Sequence, residues 1–588
     1  MAIVYENKKG ITGLSKSSAM ISEEKTNNEN KQPFVAKDVI SENEDHRDND
    51  EVLSSYIVKL VKNYSQDIIV SQRHYTPIHV DEIASRLAML YEKLRKIIDW
   101  KDDNALRRGA IERVLKRILF PNLAGFKANK ASSTELAETI TVELIRGGHL
   151  PNDTIPMERM DDIGTVLNKY LIFLETVSDY DFFAVKQKIN YTNFILETAA
   201  CEIEEVLTNP VKEYGIINAM TFLLQERIKF IPNDFLEKEE IRKYIFIATI
   251  KTLYDLDDRF IAYALLRRRF ADWNESDEKV KRIAKELPEA WKDVENDLNK
   301  PFLRKFLRVA ERVDTIFMLI DDILTNFKNK PEKLMVSFED PEKFAKLIKK
   351  AYEKRYATLK TRLFRLAIFS TLSVFLSNWV TFYVVEVPMA KIFYEGFNFR
   401  TAAIDFIVPT ALMFVLVSMI RLPRKRNLDK VIVFAFSFIY KDEDKHNFQL
   451  RFDSKRPSLM KIVMTSLYFE MIIVVFAGIA YLFYIAGLPI TSVIFDTFTI
   501  SITVFAAVAI KNKSKELNVD EETSIGDFFL DMLSVPIAKV GSIFAKKWKE
   551  YNVIAMLFNF LIETPFAVIL NVIQGWSDFI SERKQELH

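Results

Sequence analysis

Three acidic residues interrupt long apolar stretches, and they are the side chains best placed to do chemistry. Glu470, Asp405 and Asp496 each stand in an apolar run that could cross a membrane. An ionised carboxylate at mid-bilayer costs at least about 2.5 kcal/mol, so each should be protonated or should face water or a bound cation. Either they carry a proton or cation, with Glu470 deepest and both Asp residues nearer the outer side, or they hydrogen-bond between helices.

Motifs for enzymatic catalysis are absent from the sequence. It contains no Gly-rich phosphate loop with Lys-Ser/Thr, no His-Glu-x-x-His and no Gly-x-Ser-x-Gly, so we predict no catalytic residue, cofactor or metal site. Asp321-Asp322 and the acidic residues of 255–258 could share a hard cation, but neither cluster completes Asp-Asp-x-x-Asp. Ion pairs with nearby Arg259 and Lys328 explain these clusters better.

Composition divides the chain into two unlike parts. Its 588 residues are 49% hydrophobic with a net charge of +1 and a mean hydropathy of zero. Residues 361–588 hold 24 basic and 21 acidic residues, about 20% charged, whereas residues 1–360 hold 58 and 60, about 33% charged. The second part is typical of a membrane domain. The balanced charge argues against nucleic-acid binding, and the scarcity of glycine and proline, 14 and 18 residues, favours long helices.

Hydrophobic periodicity predicts an all-α integral membrane protein with a large helical cytoplasmic region. Residues 1–50 are polar and read as a disordered cytoplasmic tail, and 51–340 repeat apolar residues at helical spacing. Asp340-Pro341 is a strong helix start. We predict a basic stalk helix over 341–365 that continues directly into a first transmembrane helix.

About four transmembrane helices form the predicted membrane domain, 366–510. The predicted spans are 366–385, 402–420, 462–488 and 490–510. Basic residues flank the same side of all four, which places the amino terminus in the cytoplasm by the positive-inside rule. The protein is thus predicted to be a multi-pass membrane protein.

Basic residues near the predicted inner surface are candidate contacts for anionic lipid head groups. The alternative is that they form the solvated face of a bundle helix. The candidates are Lys349, Lys350, Lys354, Arg355, Arg424, Lys425 and Arg426.

Two regions outside the predicted spans have less regular patterns. Ten uncharged, mostly apolar residues from Val431, followed by alternation over 448–453, predict a small cytoplasmic β-hairpin at 431–453. Residues 511–588 are predicted to form cytoplasmic or interfacial amphipathic helices. Within them the apolar segment 553–576 carries a polar wedge, so an interfacial position is favoured over a fifth span.

These features favour a membrane-anchored helical scaffold or adaptor that binds a protein partner at the cytoplasmic face and is not an enzyme. The expected partners are membrane lipids and a protein, not nucleic acid, and the oligomeric state is open. One alternative is a proton- or cation-coupled transporter or channel component that uses the membrane carboxylates. A second alternative is a membrane-associated lipid enzyme.

Overall fold

The structure is a computed structural model, and it describes most of the chain after residue 52. Four predictions concern residues or side chains outside the described ones: the tail 1–50, the segment 553–576, Lys425 and the Asp405 side chain. The described residues are 53–71, 77–78, 103–123, 133–146, 149–150, 153, 155–177, 185–231, 236–383, 387–393, 399–424, 426–440, 447–452, 458–519 and 525–551.

The first part of the chain is a helical body, as the 3.6-residue periodicity predicts. Its helices are α1 (Ser55–Ser71), α2 (Asp103–Leu123), α3 (Ser133–Arg146), α4 (Glu158–Val177), α5 (Val185–Thr208), α6 (Val211–Arg227), α7 (Lys238–Leu253), α8 (Asp258–Arg269), α9 (Asp277–Leu298), α10 (Leu303–Ala310), α11 (Asp314–Asn326) and α12 (Leu334–Glu339). A short strand, β1 (Ile228–Ile231), follows α6.

The second part contains the apolar helices and the segments that connect them. Its elements are α13 (Pro341–Thr381), α14 (Val387–Phe393), α15 (Phe399–Ser418), α16 (Arg426–Ile439), β2 (Phe448–Arg451), α17 (Ser458–Ile485), α18 (Ile490–Ser514) and α19 (Ile525–Tyr551). One hydrophobic core runs through the body and continues into α13, α16, β2 and residues 517–519. The connecting segments therefore pack as part of the body.

The predicted β-hairpin at 431–453 was wrong in its first strand. Residues 426–439 form helix α16, which buries Val431, Ala435 and Phe438 at helical spacing. A short, wholly apolar run has no periodicity that separates a strand from a buried helix. The second strand is confirmed, because β2 buries alternate residues, but it pairs in parallel with β1 of the body.

Helix α13 joins the two parts of the molecule without a break. The Asp340 carboxylate accepts hydrogen bonds from the backbone N–H groups of Glu342 and Lys343 and so caps the helix, with Pro341 at its first position. At 41 residues, α13 is about 60 Å long. Its first half buries one face against the body, through Phe344, Ile348, Ala351, Tyr352, Leu359 and Leu363.

Within the described part of the chain, three helices are long and apolar enough to cross a membrane. They are Pro341–Val380 within α13, Ile462–Ile485 within α17 and Ser492–Ser514 within α18. The remaining predicted span, 402–420, forms α15, whose apolar part Ile407–Ser418 is shorter than the other three.

Helix α18 lies at the centre of the apolar helices. It packs against α13, α15, α17 and α19. Its buried face carries the polar residues Ser492, Asp496, Ser501, Thr503 and Ser514. Hydroxyl groups and small side chains are typical of helix interfaces within membranes, where helices approach closely.

Helix α19 runs antiparallel to α18 over much of its length. Lys511 forms an ion pair with Asp531 at one end, at 2.7 Å between Nζ and Oδ1. The Phe498 and Phe544 rings meet further along, with their centroids 3.9 Å apart. Between these contacts Gly541 lies so close to α18 that an added Cβ would be 2.1 Å from the Ser501 carbonyl oxygen, so only glycine fits there.

Candidate functional site: the joint between the body and the apolar helices

Asn427 is the central side chain of a joint between the body and the apolar helices. Its buried amide donates hydrogen bonds to the Tyr352 hydroxyl (3.0 Å) and to the Leu517 carbonyl oxygen (2.6 Å), and it accepts one from the Val519 N–H (3.4 Å). Tyr352 lies on α13 and Asn427 on α16, while residues 517–519 follow α18. One amide thus joins three segments that are distant in sequence.

Residue 516 connects the segment after α18 to the body. The Thr315 hydroxyl on α11 donates a hydrogen bond to the Glu516 carbonyl oxygen (3.0 Å), and the Glu516 carboxylate pairs with Arg362 of α13. Arg362 lies close to the apolar half of α13. The contact therefore fixes α11, α13 and the end of α18 to one another.

Two further ion pairs hold α11 against neighbouring helices. Asp322 accepts hydrogen bonds from both Nε and Nη2 of Arg355 on α13, and Asp321 pairs with Lys212 of α6 at 2.6 Å. The two acids therefore form ion pairs, as expected, but with Arg355 and Lys212. Forked Arg–carboxylate pairs fix orientation as well as distance.

Asp314, at the first position of α11, is a pH-sensitive group of the joint. Burial raises the pKa of Asp314 to about 8, and the nearby carboxylates of Glu311 and Glu516 contribute to this shift, while hydrogen bonds from Thr315 oppose it. The folded state therefore holds a proton that the unfolded chain releases at neutral pH.

We expect Asp314→Asn to stabilise the protein increasingly as the pH rises. Because the pKa of Asp314 is about 3.8 when unfolded and about 8 when folded, wild-type stability falls with pH between these values and levels off above 8. The asparagine removes this loss, so the difference in melting temperature in detergent micelles should grow from pH 5 to pH 8. Asp277→Asn, at the exposed first position of α9, is the matched control for replacing a first-turn aspartate with asparagine. An Asp314→Asn difference independent of pH would contradict the assignment.

The structure does not bring Glu470 and Asp496 together. Glu470 is exposed on α17, whereas Asp496 is only 4% exposed on the buried face of α18. Counted from the turn that joins these helices, the two residues differ in position along the helix axes by about 14 Å. Asp405 lies in α15, and its side chain is outside the described set.

Most of the described candidate head-group contacts are exposed. Arg355 is the partner of Asp322, whereas Lys349, Lys350 and Lys354 are exposed on α13. The remaining two described candidates, Arg424 and Arg426, are exposed at the start of α16. Their lipid contacts stay a prediction.

Sequence reasoning missed a cluster of buried charges on α5. Glu202 accepts hydrogen bonds from Lys169 (2.5 Å), the Tyr170 hydroxyl (2.8 Å) and Trp273 Nε1 (2.9 Å), and Lys169 also donates to Asn274 (2.6 Å). Burial lowers the pKa of Lys169 to about 8, although the Glu202 carboxylate opposes this shift. The cluster is a paired ion site inside the body.

The same helix carries two more buried carboxylates. Glu205 pairs with Arg267, and Glu204 lies 3.5 Å from Arg108. Burial raises the pKa of Glu204 to about 7, against the effect of Arg108. The sequence Cys201-Glu-Ile-Glu-Glu-Val206 could have predicted these buried acids. Its three glutamates point to different sides of one helix, so at least one of them must face the core.

Neither a metal-binding cluster nor a comparison with known proteins assigns a function to this site. Among the residues that the structure describes, no group of three or more His, Cys, Asp or Glu side chains could hold a metal ion. Comparisons with protein-family models, with curated proteins and with solved structures give no match for the chain.

Proposed function

We propose that this protein is a membrane-anchored helical scaffold, whose body is held rigidly at the cytoplasmic face of the membrane and binds a protein partner there. The observation that carries the proposal is α13, one uninterrupted helix from the core of the body into the first candidate span. A stiff connection of this kind suits a protein that presents a binding surface at a fixed distance from the bilayer.

The joint supports four spans with the body on one side. Helix α13 leaves the body, and α16 and β2 are again packed on it, so the chain must return through α15. Residues 514–519, after the α17–α18 hairpin, contact the body once more. Three connections at one end of the bundle agree with the positive-inside prediction of a cytoplasmic body and amino terminus.

Helix α19 enters this topology as a further membrane helix. It follows α18 from Asp531 to Phe544, so if α18 is inserted, α19 lies within the bilayer and not flat at the interface. Its end then carries the basic residues of 546–549 to the outer side. Near the ends of the spans, thirteen basic residues remain on the inner side against five outside, so the orientation is unchanged.

The partner surface that we propose is the exposed lysine face of α13. Lys346, Lys349, Lys350 and Lys354 are exposed on the side away from the buried face. In an upright helix they lie about 18 to 30 Å below Leu366, where the apolar half begins. That distance exceeds a Debye length of about 8 Å, so an acidic segment of a protein fits this face better than lipid head groups do.

A photo-crosslinking amino acid at Lys350 tests this function in native membranes. We expect one defined protein adduct, which disappears when Lys346, Lys349 and Lys354 are changed to Glu. The control changes Lys281 and Lys285, exposed on α9, to Glu and should leave the adduct intact. Crosslinks to lipid alone, or an adduct insensitive to the α13 charges, would refute the proposed partner surface.

The transporter alternative has less support in the geometry. A shared ion path requires the carboxylates to face one cavity, but Glu470 lies on the outer surface and Asp496 on the inner face of another helix. Glu470→Gln should therefore leave any proton or cation flux through reconstituted vesicles unchanged.

A further inference from the structure

Two opposite charges lie on the outer surface of the helices that surround α18. Glu470 on α17 and Lys539 on α19 are both exposed, and neither side chain forms an ion pair with another residue in the described part of the chain. In the proposed topology both face the hydrocarbon region. An isolated charge there costs at least about 2.5 kcal/mol, so both require a partner.

The contacts of α18 place Lys539 near mid-bilayer. Lys511 with Asp531, Ser501 with Gly541 and Phe498 with Phe544 fix one antiparallel register between α18 and α19. In this register Lys539 is level with residue 503 of α18.

The turn between α17 and α18 places Glu470 at almost the same depth. Glu470 lies 15 residues before Ile485, the last residue of α17, and residue 505 lies 15 residues after Ile490, the first residue of α18. Glu470 is therefore level with residue 505. At 1.5 Å per residue, Glu470 and Lys539 differ in depth by about 3 Å.

Both side chains point away from the bundle. On α17 the residues packed on the core of the bundle are Val475, Phe476, Ile479 and Phe483, which lie about 140° to 240° around the helix from Glu470. On α19 the buried residues Ile537, Ala538 and Gly541 lie about 160° to 260° from Lys539, and the buried Pro536 lies about 60° from it, while Lys539 itself is exposed. Because α17 and α19 also contact each other, the two charges belong to neighbouring outer faces.

We propose that these outer faces of α17 and α19 bind a second copy of the chain, with Glu470 of each copy paired to Lys539 of the other. This inference rests on the membrane topology of the proposed function. A two-fold axis along the membrane normal keeps every residue at its own depth, so charges at equal depth meet twice in one isologous interface. Each copy supplies the opposite charge that the other copy's Glu470 and Lys539 require.

A second copy fits these faces better than an unrelated helix or lipid. A single helix with one cation would satisfy Glu470 and leave Lys539 unpaired, and lipid chains satisfy neither. The Glu470 face also carries Ser466 and Ala477 at helical spacing, and small residues allow close helix approach in membranes. Exposed apolar side chains on both faces complete the interface: Ile473 (65% exposed), Val474 (69%), Val535 (46%) and Ile543 (50%).

Charge exchange in the full chain, reconstituted in lipid vesicles, tests the proposal. Donor- and acceptor-labelled populations report self-association by energy transfer. Glu470→Lys alone and Lys539→Glu alone should each weaken self-association about tenfold or more, because each creates two like-charge contacts, and about 1.4 kcal/mol suffices for a tenfold change. A mixture of the two single variants should associate like the parent, since both contacts between the unlike chains are then of opposite charge.

The mixture separates an interchain pair from an intrachain pair. The double variant carries Glu470→Lys and Lys539→Glu in one chain. If it associates normally but the mixed single variants do not, the pair lies within one chain and the dimer proposal fails. Single variants that associate as tightly as the parent, or a monomeric parent, would equally overturn it. The mixture also excludes misfolding, because misfolded variants would not rescue each other.

A cysteine at Val535, on the exposed face of α19, tests the topology separately. The native Cys201 is buried in the body, so an impermeant maleimide reports the introduced thiol. Protection from both sides together with failed association would reject only the dimer. Labelling of this cysteine would reject the membrane position of α19 and with it the basis of the proposal.

Discussion

Replacing Lys169 with methionine should destabilise the protein by about 3 to 5 kcal/mol, because it leaves the Glu202 carboxylate buried without its cation. Lys169 and Glu202 are 5% and 3% exposed. The remaining donors to Glu202, the Tyr170 hydroxyl and Trp273 Nε1, are neutral. Two neutral hydrogen bonds do not replace the Coulomb energy of the ammonium group at 2.5 Å. Denaturant unfolding in detergent, followed by Trp fluorescence, measures the loss.

A double variant and a surface variant make this prediction specific. Lys169→Met with Glu202→Gln should recover more than half of the loss, because the amide can still accept from Tyr170 and Trp273 without a buried charge. Lys251→Met breaks the half-exposed pair with Asp258 and should cost less than about 1 kcal/mol. If Lys169→Met is as mild as Lys251→Met, the buried pair contributes little to stability.

A proline at Ala351 should break the stiff connection between the body and the apolar helices. Ala351 lies ten residues after Pro341, the first residue of α13, and is 3% exposed. Proline there removes the hydrogen bond to the carbonyl of residue 347 and clashes with it, at a cost of about 3 kcal/mol or more. We expect the helix to kink at this point while the apolar half stays helical.

Spin labels at Lys281 in the body and Lys391 on α14 measure the effect, since both side chains are exposed. The distance distribution should be narrow in the parent and broad or shifted in Ala351→Pro. Ala351→Gly, which costs about 1 kcal/mol without breaking the helix, should keep the narrow distribution. An unchanged distribution in Ala351→Pro would show that Asn427 and Glu516 hold the body without help from helix continuity.

The local pattern of the sequence was sufficient for several elements. Asp340-Pro341 predicted the start of α13 because a cap and a first-turn proline act within one turn. The helical periodicity of the body and the alternation over 448–452 were equally readable, since each depends on which face of a single element is buried. The apolar runs predicted the three helices that are long enough to cross a membrane.

Contacts between distant segments could not be read in the same way. The strand at 448–451 found its partner 220 residues earlier, at 228–231, and the run from Val431 forms a helix that buries one face in the core of the body. Neither outcome leaves a local signal. The ion pairs of Glu202 and Glu205 were hidden for the same reason, since their cations come from α4 and α8.

The sequence by itself determined the division into a charged helical body and apolar helices, and the continuity of α13, because composition and periodicity are properties of neighbouring residues. Only the tertiary structure decided that Asn427 joins three segments, that α19 follows α18 in antiparallel register, and that Glu470 and Lys539 are both exposed at nearly the same level along the apolar helices. These relations depend on how the elements pack against one another. Side-chain shape and burial determine that packing, and the order of residues along the chain does not show it.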